Sequence, residues 1–143
     1  MGQEMSTKVR PEVSASNKYW ISKYRYYELK HHCLQFNEWK QNYKEIEEAL
    51  IHSSWMVEIR KDIKKSNPTE KDAERLSYFS KKIDTITRVA ERTDKILAPF
   101  LLKAIMEGYS FNYLQQVMHI HCCKDIYYQM YRRFFWLLDK EIE

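Results

Sequence analysis

At 143 residues the chain has room for one domain, or one domain with an appended helical arm. Two glycines and three prolines in the whole chain exclude a sheet architecture, whose tight turns need Gly or Asn-Gly pairs, while 44% hydrophobic and 15% aromatic residues supply a core built partly of Tyr, Trp and Phe. The 24 basic and 20 acidic side chains leave a net charge of +4, too little for a histone-like tail but enough for a nucleic-acid partner if it gathers on one face.

Residues 1–15 are polar and without period, and read as a disordered tail. Ser16 or Asn17 is a plausible N-cap for a first helix over 17–36, in which Trp20, Tyr24, Tyr27, His31 and Leu34 recur at 4-3-4-3 spacing as a core stripe. Ile21 and Tyr26 fall on its other faces, and Lys18, Lys23, Arg25 and Lys30 are interleaved among the rings. Asn37 restarts the chain, with Trp39, Tyr43, Ile46 and Leu50 as a second stripe that continues through Trp55 and Ile59 toward the basic run Lys61 to Lys65. Asn67 at N-cap, Pro68 at the first helical position and Glu70 at the capping-box position then open a third helix. Its stripe of Leu76, Phe79, Ile83, Ile86 and Ala90 is a coiled-coil seam if it meets a second chain, or a packing face within its own domain. Asp94 caps afresh and Pro99 disturbs the ladder, so a break is expected near 92–95. A further helix runs to Gly108, which supplies a left-handed stop.

The remainder predicts a helix pair. Ser110 caps a short helix of about eight residues, with Phe111, Leu114, Val117 and Met118 as its inner face. A turn over His119 to Cys123 follows, and then a longer helix from Cys123 or Lys124 to about Asp139, with Tyr127, Met130, Tyr131, Phe134, Leu137 and Leu138 inward. Short helix, turn and long helix are the order of a helix-turn-helix, in which the second helix enters the major groove by its N-terminal half. Its outward side carries Lys124, Asp125, Tyr128, Gln129, Arg132 and Arg133. Arg and Lys reach phosphates and guanine, Gln pairs with adenine, and Tyr meets the backbone or a thymine methyl.

From Asp84 to the end, about the last 60 residues, the chain resembles the helical regulators of phages and mobile elements in Gram-positive bacteria, of the ArpU and RinA late-gene activator type, whose C-terminal part is similar to region 4 of a sigma factor. The resemblance rests on the Glu107-Gly108 stop, the Ser110-Phe111 start, Leu114, Ile120, the Cys123-Lys124-Asp125 helix start, and Tyr127-Tyr128 leading to Arg132-Arg133-Phe134-Phe135-Trp136-Leu137-Leu138. It implies a transcriptional regulator of late phage operons, with DNA contacts at Lys124, Tyr128, Gln129, Arg132 and Arg133. His119 stands where such turns carry glycine, and a left-handed backbone costs a non-glycine residue about 1 kcal/mol. Counting from Ile120, the next buried position falls on Ile126, which predicts a longer turn than the standard one.

Other chemistries find little footing. Adjacent Cys122 and Cys123 point about 100° apart on a helix and do not easily share one ion, so neither they with His119 and His121, nor His31-His32-Cys33, are read as a metal site. No phosphate loop, nucleophile elbow or H-E-x-x-H is present, and neither an enzyme nor a cofactor is expected. Lys23, Arg25 and Lys30 are candidates for phosphate contacts, while base stacking by the first helix is set aside because its rings lie at core spacing. Three cysteines without a framework spacing, an opening segment without an apolar run, and no stretch near the about 18 to 20 apolar residues of a span point to a cytoplasmic chain with no membrane partner.

The expectation is therefore an all-α helical bundle ending in a helix-turn-helix. Its segments are a tail (1–15), an N-terminal helical region (16–65), a long capped helix available for dimerisation (66–93) and the C-terminal unit (94–143). The expected partner is double-stranded DNA, with a second copy of the chain and RNA polymerase or another host protein as further candidates. The alternative is a helical protein-interaction module, such as a phage-encoded inhibitor of a host protein.

Overall fold

The structure is a computed structural model that describes residues 16–59 and 68–142. All regular structure among them is helical: α1 (Lys23–Cys33), α2 (Phe36–Ile59), α3 (Pro68–Thr93), α4 (Ala98–Glu107), α5 (Phe111–Gln116) and α6 (Lys124–Glu141). None of these helices is long and apolar enough to cross a membrane. The expected tail, the basic run Lys61 to Lys65 and the Asn67 cap lie outside the described residues. The chain groups into two compact units, one made of residues 1–35 with 85–143 and the other of residues 36–84, so α1 and α2, neighbours in sequence, belong to different units.

In the larger unit α1 packs on α6 and on α4, and α5 packs on α4. The core is drawn from Tyr26, Leu29 and Cys33 of α1, Leu101 and Ile105 of α4, Phe111 and Leu114 of α5, and the inner stripe of α6. This reverses the expectation for the first helix. The helix starts at Lys23, capped by Ser22, whose hydroxyl accepts from the Arg25 N–H. Asn17 instead closes a tight turn, its side-chain oxygen accepting from the Tyr19 N–H at 2.8 Å. Trp20, Tyr24 (80% exposed), Tyr27, His31 and Leu34 all face outward, while Tyr26, Leu29 and Cys33 form the buried 3-4 set, with Ile21 buried just before the helix. Two stripes of helical period compete on this segment, and the outcome follows side-chain chemistry. Leu29 carries no polar group and Cys33 only a weakly polar thiol, and the one buried phenol of α1, Tyr26, bonds to that of Tyr131. The outward Trp, Tyr and His side chains instead keep a polar edge that water serves.

The later boundaries follow local chemistry closely. α3 ends at Thr93, whose hydroxyl donates back to the Val89 carbonyl at 2.9 Å. The Asp94 carboxylate accepts from the N–H groups of Ile96 and Leu97 at 2.9 and 3.0 Å, and Pro99 sits in the first turn of α4. Gly108 ends α4 at φ 77°, where a side chain would be strained, and its N–H donates to the Ala104 carbonyl.

In the smaller unit the α2 stripe is largely as expected. Phe36, Trp39 and Ile46 are buried, and Tyr43 and Leu50 are half-buried. The Lys82 ammonium of α3 lies 5.3 Å from the centre of the Trp39 ring and 5.1 Å from that of Tyr78, a cation–π arrangement joining the two helices. The α3 stripe changes character along its length. Leu76, Phe79 and Ile83 are half-buried, whereas Ile86 and Ala90 are fully buried.

Candidate nucleic-acid interface

The Ser110 hydroxyl accepts from the Tyr113 N–H at 3.2 Å and opens α5, which buries Phe111 and Leu114. The helix stops at Gln116, shorter than expected, so Val117 leaves the inner face and is 54% exposed. His119, which stands where the resembled turns carry glycine, adopts a left-handed backbone at φ 59°. It turns the chain so that Ile120 drops into the core and donates its N–H to the Leu114 carbonyl at 3.0 Å. The connection spans residues 117–123, and Cys123 caps α6 without a side-chain hydrogen bond. Ile126, expected inside, is 52% exposed, and Tyr127 is the first buried residue of α6. The helix starts at Lys124 as expected, and its inner stripe opens at Tyr127 rather than Ile126. From there Tyr131, Phe134, Leu137 and Leu138 follow as predicted, Phe135 joins them, and Met130 is only half-buried.

The five expected contact residues divide into three groups. Lys124 and Gln129 are exposed, and Arg132 is partly exposed on the same outward side of the helix. Tyr128 is half-buried, its ring 5.1 Å from Tyr127 and 6.3 Å from Phe111, and burial raises its phenol above the ordinary value. Arg133 is turned onto Tyr19, donating to its phenol oxygen at 3.2 Å and to the Arg92 carbonyl at 3.4 Å, with the guanidinium 5.8 Å from the ring centre. That guanidinium holds the Tyr19 phenol below its usual range.

The C-terminal half of α6 is tied down by charge. The Arg25 guanidinium meets Asp139 at 2.6 Å and also donates to the Ile142 carbonyl, while Arg88 and Arg92 reach Glu141 at 2.8 and 3.3 Å. Arg25, a candidate for phosphate, is thus spent on an intramolecular pair. Trp136 stacks edge-on against Tyr19 and receives the Lys140 ammonium 4.1 Å from its ring centre. Basic groups bonded to the last carbonyls and carboxylates of a helix also complement its dipole.

Charge is distributed unevenly between the units. The larger carries 14 basic and 10 acidic residues and the smaller 10 and 10, so the whole +4 excess belongs to the unit that contains α6.

Two surface features were not legible in the sequence. One is the outward aromatic face of α1. The other is a cavity of about 120 Å³ walled by Lys30 of α1, Ile105 of α4, Tyr109, Phe111, and Tyr127 and Tyr128 of α6. The tyrosine run Tyr127-Tyr128 hinted at it, but a partner from α1 could be found only in three dimensions. Among the described residues no three His, Cys, Asp or Glu side chains are grouped to hold a metal ion. Comparison of the chain with protein-family models, with curated proteins and with solved structures finds no match.

Proposed function

We propose that this chain is a sequence-specific DNA-binding regulator of the phage or mobile-element type, in which α5, the His119 turn and α6 act as a helix-turn-helix. The observation that carries the reading is the outward ridge at the start of α6. Lys124 and Gln129 stand in solvent with Arg132 beside them, on a long helix that follows a short one through a left-handed turn. The placement of the net positive charge in the same unit supports it. Lys124 and Arg132 would hold phosphates or guanine, and Gln129 would read adenine. Arg133 belongs to the scaffold in this reading, and Tyr128 contributes by its edge only. The half-buried Leu76, Phe79 and Ile83 of α3 are the apolar surface a second copy would cover, and a dimeric reader of this kind takes half-sites one DNA turn, about 34 Å, apart. RNA polymerase or another host protein is a further candidate partner for the remaining surface.

The test begins with recovery of bound fragments from cellular DNA, followed by mobility-shift titration on the enriched site. Lys124→Ala combined with Gln129→Ala should weaken binding at least about tenfold, consistent with about 1–3 kcal/mol for a base contact. The logarithm of affinity should also fall linearly with that of salt concentration. A double variant with wild-type affinity removes α6 from the role, and failure to enrich any fragment removes DNA itself.

A second reading has its own observation. Trp20 (40% exposed), Tyr24, Tyr27 and Leu34 form a contiguous outward face on and just before α1, larger than scattered surface rings require. Such a face suits a protein partner, as in a phage-encoded inhibitor of a host protein. It is favoured if Tyr24→Ala abolishes capture of a host protein while DNA enrichment is absent.

A further inference from the structure

Two of the polar residues that line the cavity beside α6, Lys30 and Tyr127, have side chains with no hydrogen bond or ion pair among the described residues. Lys30 lies half-buried in its wall, and no ion pair joins it among the described residues; its ammonium stands over the Tyr26 ring, 6.0 Å from the centre. The lining contains no carboxylate at all. Loss of water lowers the Lys30 pKa, with no opposite charge acting against that shift. Tyr127 is 2% exposed, and its hydroxyl has no hydrogen-bond partner among the described residues, in contrast to the neighbouring phenols of Tyr26 and Tyr131, which bond to each other at 3.1 Å. A buried donor without an acceptor is rare in folded proteins and asks what it serves. The rest of the wall is mostly apolar or aromatic, with Leu34, Ala104, Ile105 and Phe111 beside Ser110 and the rings of Tyr109, Tyr128 and Tyr131. A mostly apolar concavity with a few convergent polar groups is the usual form of a small-molecule site.

We infer that this cavity binds a small aromatic carboxylate of about benzoate size, its ring against Phe111, Leu34 and Ile105 and its carboxylate accepting from the Lys30 ammonium and the Tyr127 hydroxyl. The size follows from the volume, about 120 Å³, which is of the order that admits a single six-membered ring. The charge follows from Lys30, the one cation of the lining, and the acceptor character from its ammonium together with the buried Tyr127 hydroxyl, both of which donate. An anion supplies both missing partners at once, whereas a cation or a neutral donor can reach only the phenol oxygen and leaves the donor-only ammonium without an acceptor. The site stands whether or not α6 reads DNA.

The test uses the full chain and sodium benzoate, titrated by calorimetry and by amide NMR. Saturable binding with Kd of about 1 mM or tighter is expected, a value within reach of a ligand of nine heavy atoms. The shifts should centre on the amides of Gly108 and Ser110, which line the cavity. Lys30→Met should weaken binding about tenfold or more, and Tyr127→Phe severalfold. Tyr127→Phe removes only a buried unbonded hydroxyl, so it should fold at least as well as the parent. Benzamide, which keeps the ring and an acceptor but not the charge, should bind at least about tenfold more weakly than benzoate. The assignment is overturned if benzoate does not saturate, if its shifts map elsewhere, if either variant binds it as the parent does, or if benzamide binds equally well.

Discussion

The two halves of α6 are built for different tasks. Its C-terminal half is anchored on every side, by Phe134, Phe135 and Leu138 in the core, by Arg25 on Asp139, by Arg88 and Arg92 on Glu141, and by Trp136 against Tyr19. Its N-terminal half sets down only Tyr127 and Tyr131 and leaves Lys124, Asp125, Ile126 and Gln129 in water. A helix held rigidly at one end can present the other in a nearly fixed orientation, because a sharp kink in an α-helix requires an interruption of its ladder. The difference teaches where stability and recognition are kept: a change in the second half should unfold the unit, and a change in the first should alter only what it touches.

The largest effect is expected from the anchored half. Phe135 is fully buried, edge-on to Tyr26 at 5.0 Å and in contact with Tyr131 and Phe134. Phe135→Ala should lower unfolding free energy in urea by about 3–5 kcal/mol; a loss below about 1 kcal/mol would mean the ring is not the anchor described. Alkali should strike the same core next. Burial raises the phenols of Tyr127 and Tyr131 above their ordinary value of 10.0, so above that pH the unfolded chain releases protons that the native state retains. The contribution of each neutral buried phenol is therefore complete below pH 10 and declines as pH rises, by about 1.4 kcal/mol per phenol per pH unit. Tyr19, lowered by Arg133, has the opposite sign: its contribution is present above pH 10 and is lost as pH falls through its own lower value. Phenolate absorbance should accordingly show Tyr19 titrating before the two buried phenols, and Tyr19→Phe should remove the early component.

How much of this was readable in the sequence depends on what fixes each element. Caps and stops were legible because they are local. Asp94, Gly108 and Ser110 each act within a few residues and occupy the conformations their chemistry favours, while His119 takes its left-handed turn against its own preference. The inner stripe of α6 was legible because Phe134, Leu137 and Leu138 have no competing apolar set on another face. On α1 two stripes compete, and the one richer in large rings is the exposed one. Ring count misleads there because Tyr and Trp are at home at a wet surface, while Leu29 and Cys33 are not. For the candidate interface, residue types identified Lys124, Gln129 and Arg132, but the fate of Arg133 is set by Tyr19, 114 residues away in sequence. The Lys30 cavity is likewise a product of α1 meeting α6, which no local spacing encodes.

A smaller effect sharpens the boundary between the halves. Arg132 and Arg133 are adjacent and chemically identical, yet only Arg133 bonds to the scaffold through Tyr19 and the Arg92 carbonyl. Arg133→Ala should cost about 1 kcal/mol of stability, discounted for its partial exposure. Arg132→Ala should leave the thermal midpoint within the range of ordinary surface changes, about 0.5 kcal/mol, while weakening DNA binding about tenfold. Paired melting and mobility-shift measurements on the two single variants check this. Equal behaviour of the two arginines would dissolve the division proposed for the helix.

The smallest effect lies at the turn that separates α5 from α6. His119 holds φ 59° without the freedom glycine would bring, and its side chain is exposed, so no packing is lost on truncation. Relief of the left-handed strain favours His119→Gly by about 1 kcal/mol, and the extra entropy of glycine in the unfolded chain returns about 0.4–1 kcal/mol of that. The net expected gain in the urea titration is therefore small, between zero and about 0.6 kcal/mol. His119→Ala keeps the strain without the imidazole and should not stabilise at all. If alanine stabilises as much as glycine does, the backbone at 119 is not the constraint, and the orientation of the free half of α6 must be set by Ile120 and the buried face of α5 instead.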